Sequence, residues 1–184
     1  MSLTPMRSPM ARAHILITGP RRCGKSTLIE RVVRELERPA TGFFTRELRT
    51  GDRRVGFAIE TLDGKQGILA YQDLRSCYRV GKYGVNLADI DGIAVPALVP
   101  SGPEELVVVD EIGKMECFSR HFRDTLIRVL NSSHRVLGSI ALKGDRFIQG
   151  IKGRDDVLLI DLTEADREKA LGVVLGELSG RSAF

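Results

Sequence analysis

Apolar positions along this chain follow two different periods, and the switches between them lay out the expected elements. The first apolar run, Ile15-Leu16-Ile17-Thr18, is short, continuous and closed by Gly19-Pro20, which predicts a buried strand. After a glycine-containing loop the period becomes helical. Leu28, Ile29, Val32, Val33 and Leu36 share one face of a helix predicted over residues 25–37, and Pro39 ends it. The middle of the chain reads as β-rich. Gly42-Phe43-Phe44-Thr45 predicts a strand, Thr50-Gly51-Asp52 a turn, and the alternation of Val55, Phe57 and Ile59 a half-buried strand. Leu62-Asp63-Gly64-Lys65 is a second turn, with a short strand at 67–70. Residues 74–85 predict a long loop, and 86–98 a short helix interrupted by Pro96.

Leu106-Val107-Val108-Val109 is apolar throughout and runs into Asp110-Glu111, as a central parallel strand does. Ser119 is placed to cap a helix ending near Asn131, with Phe122, Leu126, Val129 and Leu130 on one side. A strand follows at 136–140, a glycine-punctuated loop at 144–154 and a last strand at 157–160. Thr163 is placed to cap a final helix with Ala170, Leu171, Val174, Leu175 and Leu178 on its inner face. Strands alternating with helices predict an α/β fold: an open, mostly parallel sheet flanked by helices, with a hairpin-like insertion at 42–70. Residues 1–12 are expected to form an arm outside the fold, and 13–184 one domain with one sizeable core.

Composition narrows the function classes. Apolar residues make up 42% and charged residues 28%, the balance of an ordinary globular domain. No apolar stretch approaches the length that spans a bilayer, so no membrane partner is expected. The net charge of +4 suits an anionic ligand, but the charges are scattered and aromatics are only 5%, so nucleic acid is an unlikely partner. Cys23, Cys77 and Cys117 show no metal-site or C-x-x-C spacing, which suits a reducing cytoplasm.

The chemistry concentrates between the first strand and first helix. Gly19-Pro20-Arg21-Arg22-Cys23-Gly24-Lys25-Ser26 matches the phosphate-loop pattern G-x-x-x-x-G-K-[ST] without a gap. A triphosphate carries several negative charges and needs backbone N–H groups turned inward, which Gly19 and Gly24 permit. The helix start adds the positive end of its dipole. Lys25 is expected to reach the β- and γ-phosphates and Ser26 to place its hydroxyl on Mg²⁺. The expected nucleotide-binding set is Gly19, Pro20, Arg21, Arg22, Cys23, Gly24, Lys25, Ser26, Thr27 and Asp110. Two carboxylates at the end of an apolar strand are costly unless they bind something. Asp110 fits the role of holding hydrated Mg²⁺ opposite Ser26. Glu111 either orients an attacking water or simply faces solvent.

Other residues invite weaker readings. Arg21, Arg22, Arg46, Arg146 and Arg154 are candidates for spreading transition-state charge, among 21 arginines in all. Lys114 is either a phosphate contact or a solvated lysine. Cys23 sits among loop amides that favour a thiolate, or fills space. His14, His121 and His134 show no ligand spacing.

The string Asp110-Glu111-Ile112-Gly113-Lys114-Met115-Glu116 resembles the acidic strand end of a small P-loop nucleoside-triphosphatase family. That family occurs in thermophilic archaea and bacteria and includes the human cancer-related nucleoside-triphosphatase. The stretches 42–49, 54–57, 61–64 and 80–83 are similar to the same family. The resemblance implies a RecA-like P-loop core and slow hydrolysis of ATP, GTP and other nucleoside triphosphates to diphosphate and phosphate, with loose base selection. It carries the phosphate loop onto residues 19–26 and the metal-holding and water-activating carboxylates onto Asp110 and Glu111. Two departures stand out. Arg21-Arg22-Cys23 is bulkier and more basic than the Pro-Gly-Val-like filling of the family, and Asp166-Arg167 stands where the family tends to carry Asn-Arg. Two other readings remain. One is a nucleotide or nucleoside kinase whose lid is the 144–154 loop with Lys143, Arg146, Lys152 and Arg154. The other is a nucleotide-gated switch acting on an RNA or protein partner.

Overall fold

The computed structural model describes residues 14–180, so the expected arm at 1–12 lies outside the described residues. Nine strands form one sheet in the order β5-β6-β4-β3-β2-β7-β8-β1-β9. The parallel half contains β1 (His14–Thr18), β7 (Leu106–Ile112), β8 (Val136–Ile140) and β9 (Val157–Asp161), with β2 (Ala40–Thr50) at the seam. β2 pairs in parallel with β7 on one side and antiparallel with β3 (Arg53–Thr61) on the other. β4 (Gln66–Tyr71), β5 (Arg79–Val80) and β6 (Tyr83–Val85) complete an antiparallel wing. The seam is tight: Gly42 has φ of 122°, and a Cβ there would lie 1.9 Å from the Val108 carbonyl oxygen. No side chain fits between the two strands at that point.

Period-two alternation sorts the side chains of the central strands onto two faces. Ile15, Ile17, Leu106, Val108 and Leu137 face one side. There they meet Leu28, Ile29 and Val32 of α1 (Lys25–Leu36) and Ala170, Leu171 and Val174 of α6 (Arg167–Leu178). Leu16, Phe43, Val107, Val109 and Val136 face the other, against Phe122, Leu126 and Val129 of α4 (Arg120–Leu130). Both layers are closely covered; Ile15, Leu16, Ile17 and Leu106 to Val109 are fully buried. Ser119 caps α4 as expected, its hydroxyl accepting from Phe122 N at 2.9 Å.

Four expectations need correction. Residues 74–85 hold β5 and β6 rather than one long loop; each is too short for alternation to register. The segment 86–98 is helical almost throughout, as α2 (Leu87–Asp89), a π turn (Ile90–Ala94) and α3 (Val95–Ala97). Pro96 stands where the π turn passes into α3. The supposed loop at 144–154 is mostly helix, α5 (Arg146–Lys152), started by Asp145 and anchored by buried Ile148 and Ile151. At the last helix, Thr163 spends its hydroxyl on the Asp166 side chain at 2.6 Å and caps no backbone N–H. A single 3₁₀ turn (Glu164–Asp166) leads into α6.

Candidate active site

The carboxyl ends of the parallel strands gather the chemistry-bearing residues on one rim. β1 ends at Thr18 and passes into a loop whose backbone turns left-handed at Gly19 (φ 144°), Arg22 (φ 64°) and Gly24 (φ 97°). A Cβ on Gly19 would strike the Leu162 carbonyl oxygen at 2.5 Å, and one on Gly24 would strike Arg167 Nε at 2.7 Å. Glycine is therefore required at both positions by conformation, and at Gly19 also by space, since the atom it faces is backbone. α1 begins at Lys25 immediately after the second glycine. The Lys25 ammonium folds back over the loop, donating to Gly19 O at 3.2 Å and Pro20 O at 3.0 Å. Arg21 and Arg22 are exposed at the loop's crest, Ser26 is half-buried and Thr27 exposed. Cys23 is buried among apolar side chains and fills space there.

β7 delivers the acidic pair to the same rim. Its ladder with β8 sets Val109 beside Gly138, which brings Ser139 alongside Asp110. Asp110 is only 1% exposed. Its Oδ1 accepts from the Ser139 hydroxyl, whereas Oδ2 is buried with no hydrogen-bond partner. The Ser26 hydroxyl lies near enough to favour the ionised carboxyl without closing a hydrogen bond to Oδ2. Burial is the larger influence and pushes the Asp110 pKa up, against Ser139, Ser26, Lys25 and Arg46. Half-buried Glu111 is raised as well, first by burial and then by the Asp110 charge, while Lys25 and Arg21 pull it down. Glu116 completes the acid cluster. It is buried, and burial together with the neighbouring Glu111 lifts its pKa to about 8. Gly113 sits between these two: a Cβ there would lie 2.9 Å from Glu116 Oε2 and 3.2 Å from Glu111 Oε1.

The remaining candidates separate by geometry. Arg46 bridges Glu30 of α1 and Glu60 of β3, so its guanidinium is committed on two sides. Arg154 is held by Asp156 at 2.7 Å and by the Leu130 carbonyl at 3.0 Å. Lys152 donates to Leu142 O at 2.9 Å and reaches Thr18 Oγ1 at 3.4 Å. The basic segment 144–154, the candidate kinase lid, is mostly a docked helix, with Lys143 and Arg146 exposed at its start. Lys114 is exposed. His14 is a core residue, its Nε2 3.0 Å from Leu130 O; His121 lies 3.1 Å from Asp91 Oδ2, and His134 Nε2 lies 3.0 Å from Gly102 O. The sequence carries no signal that places Ser139 at the site, and it marks Arg167 only as half of the family-like Asp166-Arg167 pair. Ser139 looks like any small residue in an apolar strand. Arg167 reaches the loop across 144 residues, donating from Nε to Cys23 O at 2.8 Å.

The strand order β9-β1-β8-β7-β2, the twin-glycine loop and the acidic strand end define a P-loop NTPase fold with a RecA-like core. The chain belongs to the NTPase family, whose model matches residues 14–175. It is 47% identical over 165 residues to the nucleoside-triphosphatase THEP1 of Thermotoga maritima, covering 89% of this chain and 94% of that one. It is 37% identical over 180 residues to the human cancer-related nucleoside-triphosphatase, covering 88% and 94%. The crystal structure of THEP1 from Aquifex aeolicus superposes with a TM-score of 0.82 at 33% identity, covering 90% of this chain and 98% of that one. The family resemblance drawn from residues 110–116 holds along the whole matched length.

Proposed function

We propose that this chain hydrolyses nucleoside triphosphates to diphosphate and phosphate; its relatives carry the name nucleoside-triphosphatase. The observation that carries the reading is Asp110 Oδ2, a buried carboxylate oxygen without a partner, set beside Ser26 at the mouth of the phosphate loop. Such an atom is expensive unless a cation or donor completes it. A hydrated Mg²⁺ fits: its oxygen ligands would come from the Ser26 hydroxyl, the phosphates and water, with Asp110 behind. Bound there, the ion would neutralise charge on the β- and γ-oxygens.

In this reading the amides of residues 19–26 cradle the phosphates. Lys25 leaves the Gly19 and Pro20 carbonyls for the β- and γ-phosphates, trading neutral acceptors for charged ones. Glu111 orients the attacking water and takes its proton. Its raised pKa brings it nearer the working pH, which suits a base. Arg21 is the arginine best suited to the γ-phosphate: it rises from the loop itself and its charge is felt at Glu111, whereas Arg46 is engaged by two glutamates. Loose base selection belongs to the same proposal. So does a cytoplasmic setting, on the strength of three free cysteines and no helix among the described residues long and apolar enough to cross a membrane.

Phosphate release from Mg-ATP with no added acceptor tests the reaction. A product appearing only when a nucleoside or monophosphate is added would replace hydrolysis with transfer. Glu111→Gln is expected to keep triphosphate affinity and lower turnover roughly 10²- to 10⁴-fold. Unchanged turnover would remove Glu111 from its role.

A further inference from the structure

We propose that the guanidinium of Arg167 is the platform on which the nucleobase stacks. The proposal rests on the reading that residues 19–26 hold a triphosphate, and it adds how the nucleoside end is recognised.

The sheet fixes the direction in which the nucleotide lies. Asp110 and Glu111 stand on β7, separated from β1 by β8. A γ-phosphate attacked by water from Glu111 must lie on that side of the loop. The rest of the nucleotide then leaves on the opposite side, where β9 pairs with β1 along its length. The connection from β9 to α6, residues 162–166, is therefore what the sugar and base meet.

That connection is pinned to the phosphate loop. Leu162 N donates to Thr18 O at 2.8 Å, and its carbonyl closes on Gly19. Arg167 follows at once. Its Nε donates to Cys23 O at 2.8 Å, and its side chain crosses Gly24 so closely that a Cβ there would sit 2.7 Å from Nε and 3.1 Å from Cζ. Glu164 holds the far end of the guanidinium at 3.5 Å. The guanidinium thus lies close to the loop backbone at Cys23 and Gly24, while 44% of the side chain remains exposed. No aromatic residue occurs in 19–27 or 161–180 to offer a competing stacking surface. The bond to Cys23 O tethers the guanidinium at the loop before any ligand arrives, which lowers the entropy lost in presenting it. Every base has a π-face, so a stack of this kind holds purines and pyrimidines alike.

Competition binding on the full chain with Mg²⁺ tests this. The competitors are ATP, GTP, CTP, UTP and inorganic tripolyphosphate, which has no base. Arg167→Ala is expected to weaken all four nucleotides by roughly 10- to 100-fold, the worth of one stack, and to leave tripolyphosphate within about 2-fold. Arg167→Lys, which keeps the charge without the plane, is expected to behave like the alanine variant. Equal weakening of tripolyphosphate would make Arg167 a phosphate ligand or a brace for the loop, and would overturn the proposal. So would full rescue by lysine, or four unchanged nucleotide affinities. If the unmodified chain binds neither nucleotides nor tripolyphosphate, the phosphate-loop reading itself falls, a result distinct from any of these.

Discussion

At Asp110 the two carboxylate oxygens have unequal surroundings: Oδ1 accepts from Ser139, and Oδ2, equally buried, accepts from nothing. Without ligand that is a destabilising arrangement, which a cation at the site reverses. Asp110→Asn is therefore expected to raise the melting temperature of the ligand-free protein at pH 8, by about 1–2 kcal/mol of stability. It should also abolish the extra stabilisation that Mg²⁺ gives a nonhydrolysable triphosphate. A ligand-free variant less stable than the parent would contradict the strained role given to Oδ2. Glu116 sets a pH dependence of definite sign. Its pKa is raised on folding, from an ordinary 4.5 to about 8, so the folded state holds a proton that the unfolded state has released. Stability from this group is full below about 4.5, falls as pH climbs toward 8 and is flat beyond. Glu116→Gln should make the decline of melting temperature across that window shallower, and an unchanged slope would remove Glu116 as its source. Residues 19–26 and the pair 110–111 were legible in the sequence because their chemistry is contiguous. Ser139 was not, since only the ladder between β7 and β8 brings it to Asp110.

α5 shows why an element goes unread. Its seven residues include Gly150, and Gly144 and Gly153 flank it, so composition alone argues for a loop. Tertiary packing overrides that. Ile148 and Ile151 are 2% and 1% exposed, and Asp145 accepts from the N–H groups of Phe147 and Ile148, both at 3.1 Å. A helix this short depends on its cap and its buried face rather than on propensity. Asp145→Ala is expected to cost about 1 kcal/mol, read as a lower urea midpoint. An unchanged midpoint would show that burial alone holds the helix. The contrast with β7 is instructive. Four consecutive apolar residues with polar ends cannot be satisfied anywhere but a covered central strand, and no packing detail was needed to place them.

For the whole molecule, the alternation of strands and helices forecast the parallel half, but not that the wing would extend the same sheet. That follows from Gly42, whose missing side chain lets β2 lie against β7 while its other edge pairs with β3. One apolar cluster consequently runs through both halves, joining Ile59, Leu69, Tyr83 and Val85 of the wing to Leu16, Val107, Val109 and Phe122 of the core. A wing sharing its core with the phosphate-loop half is expected to melt together with it. The chain supplies its own probes for this. It has no Trp, and its three tyrosines, Tyr71, Tyr78 and Tyr83, all fall in the wing; the long helices α1, α4 and α6, which dominate the helical circular dichroism, pack on the core. A nonhydrolysable triphosphate with Mg²⁺ at 100 times its Kd should add about 2.7 kcal/mol, or roughly 5–10 °C in a domain of this size. Tyrosine fluorescence and helical dichroism are expected to report one coincident transition and to move together by that amount, although no tyrosine lies in the phosphate loop. A chelator should reduce both shifts alike. A tyrosine transition that stayed in place while the dichroism moved would mean that the seam at Gly42 joins two independently folding parts.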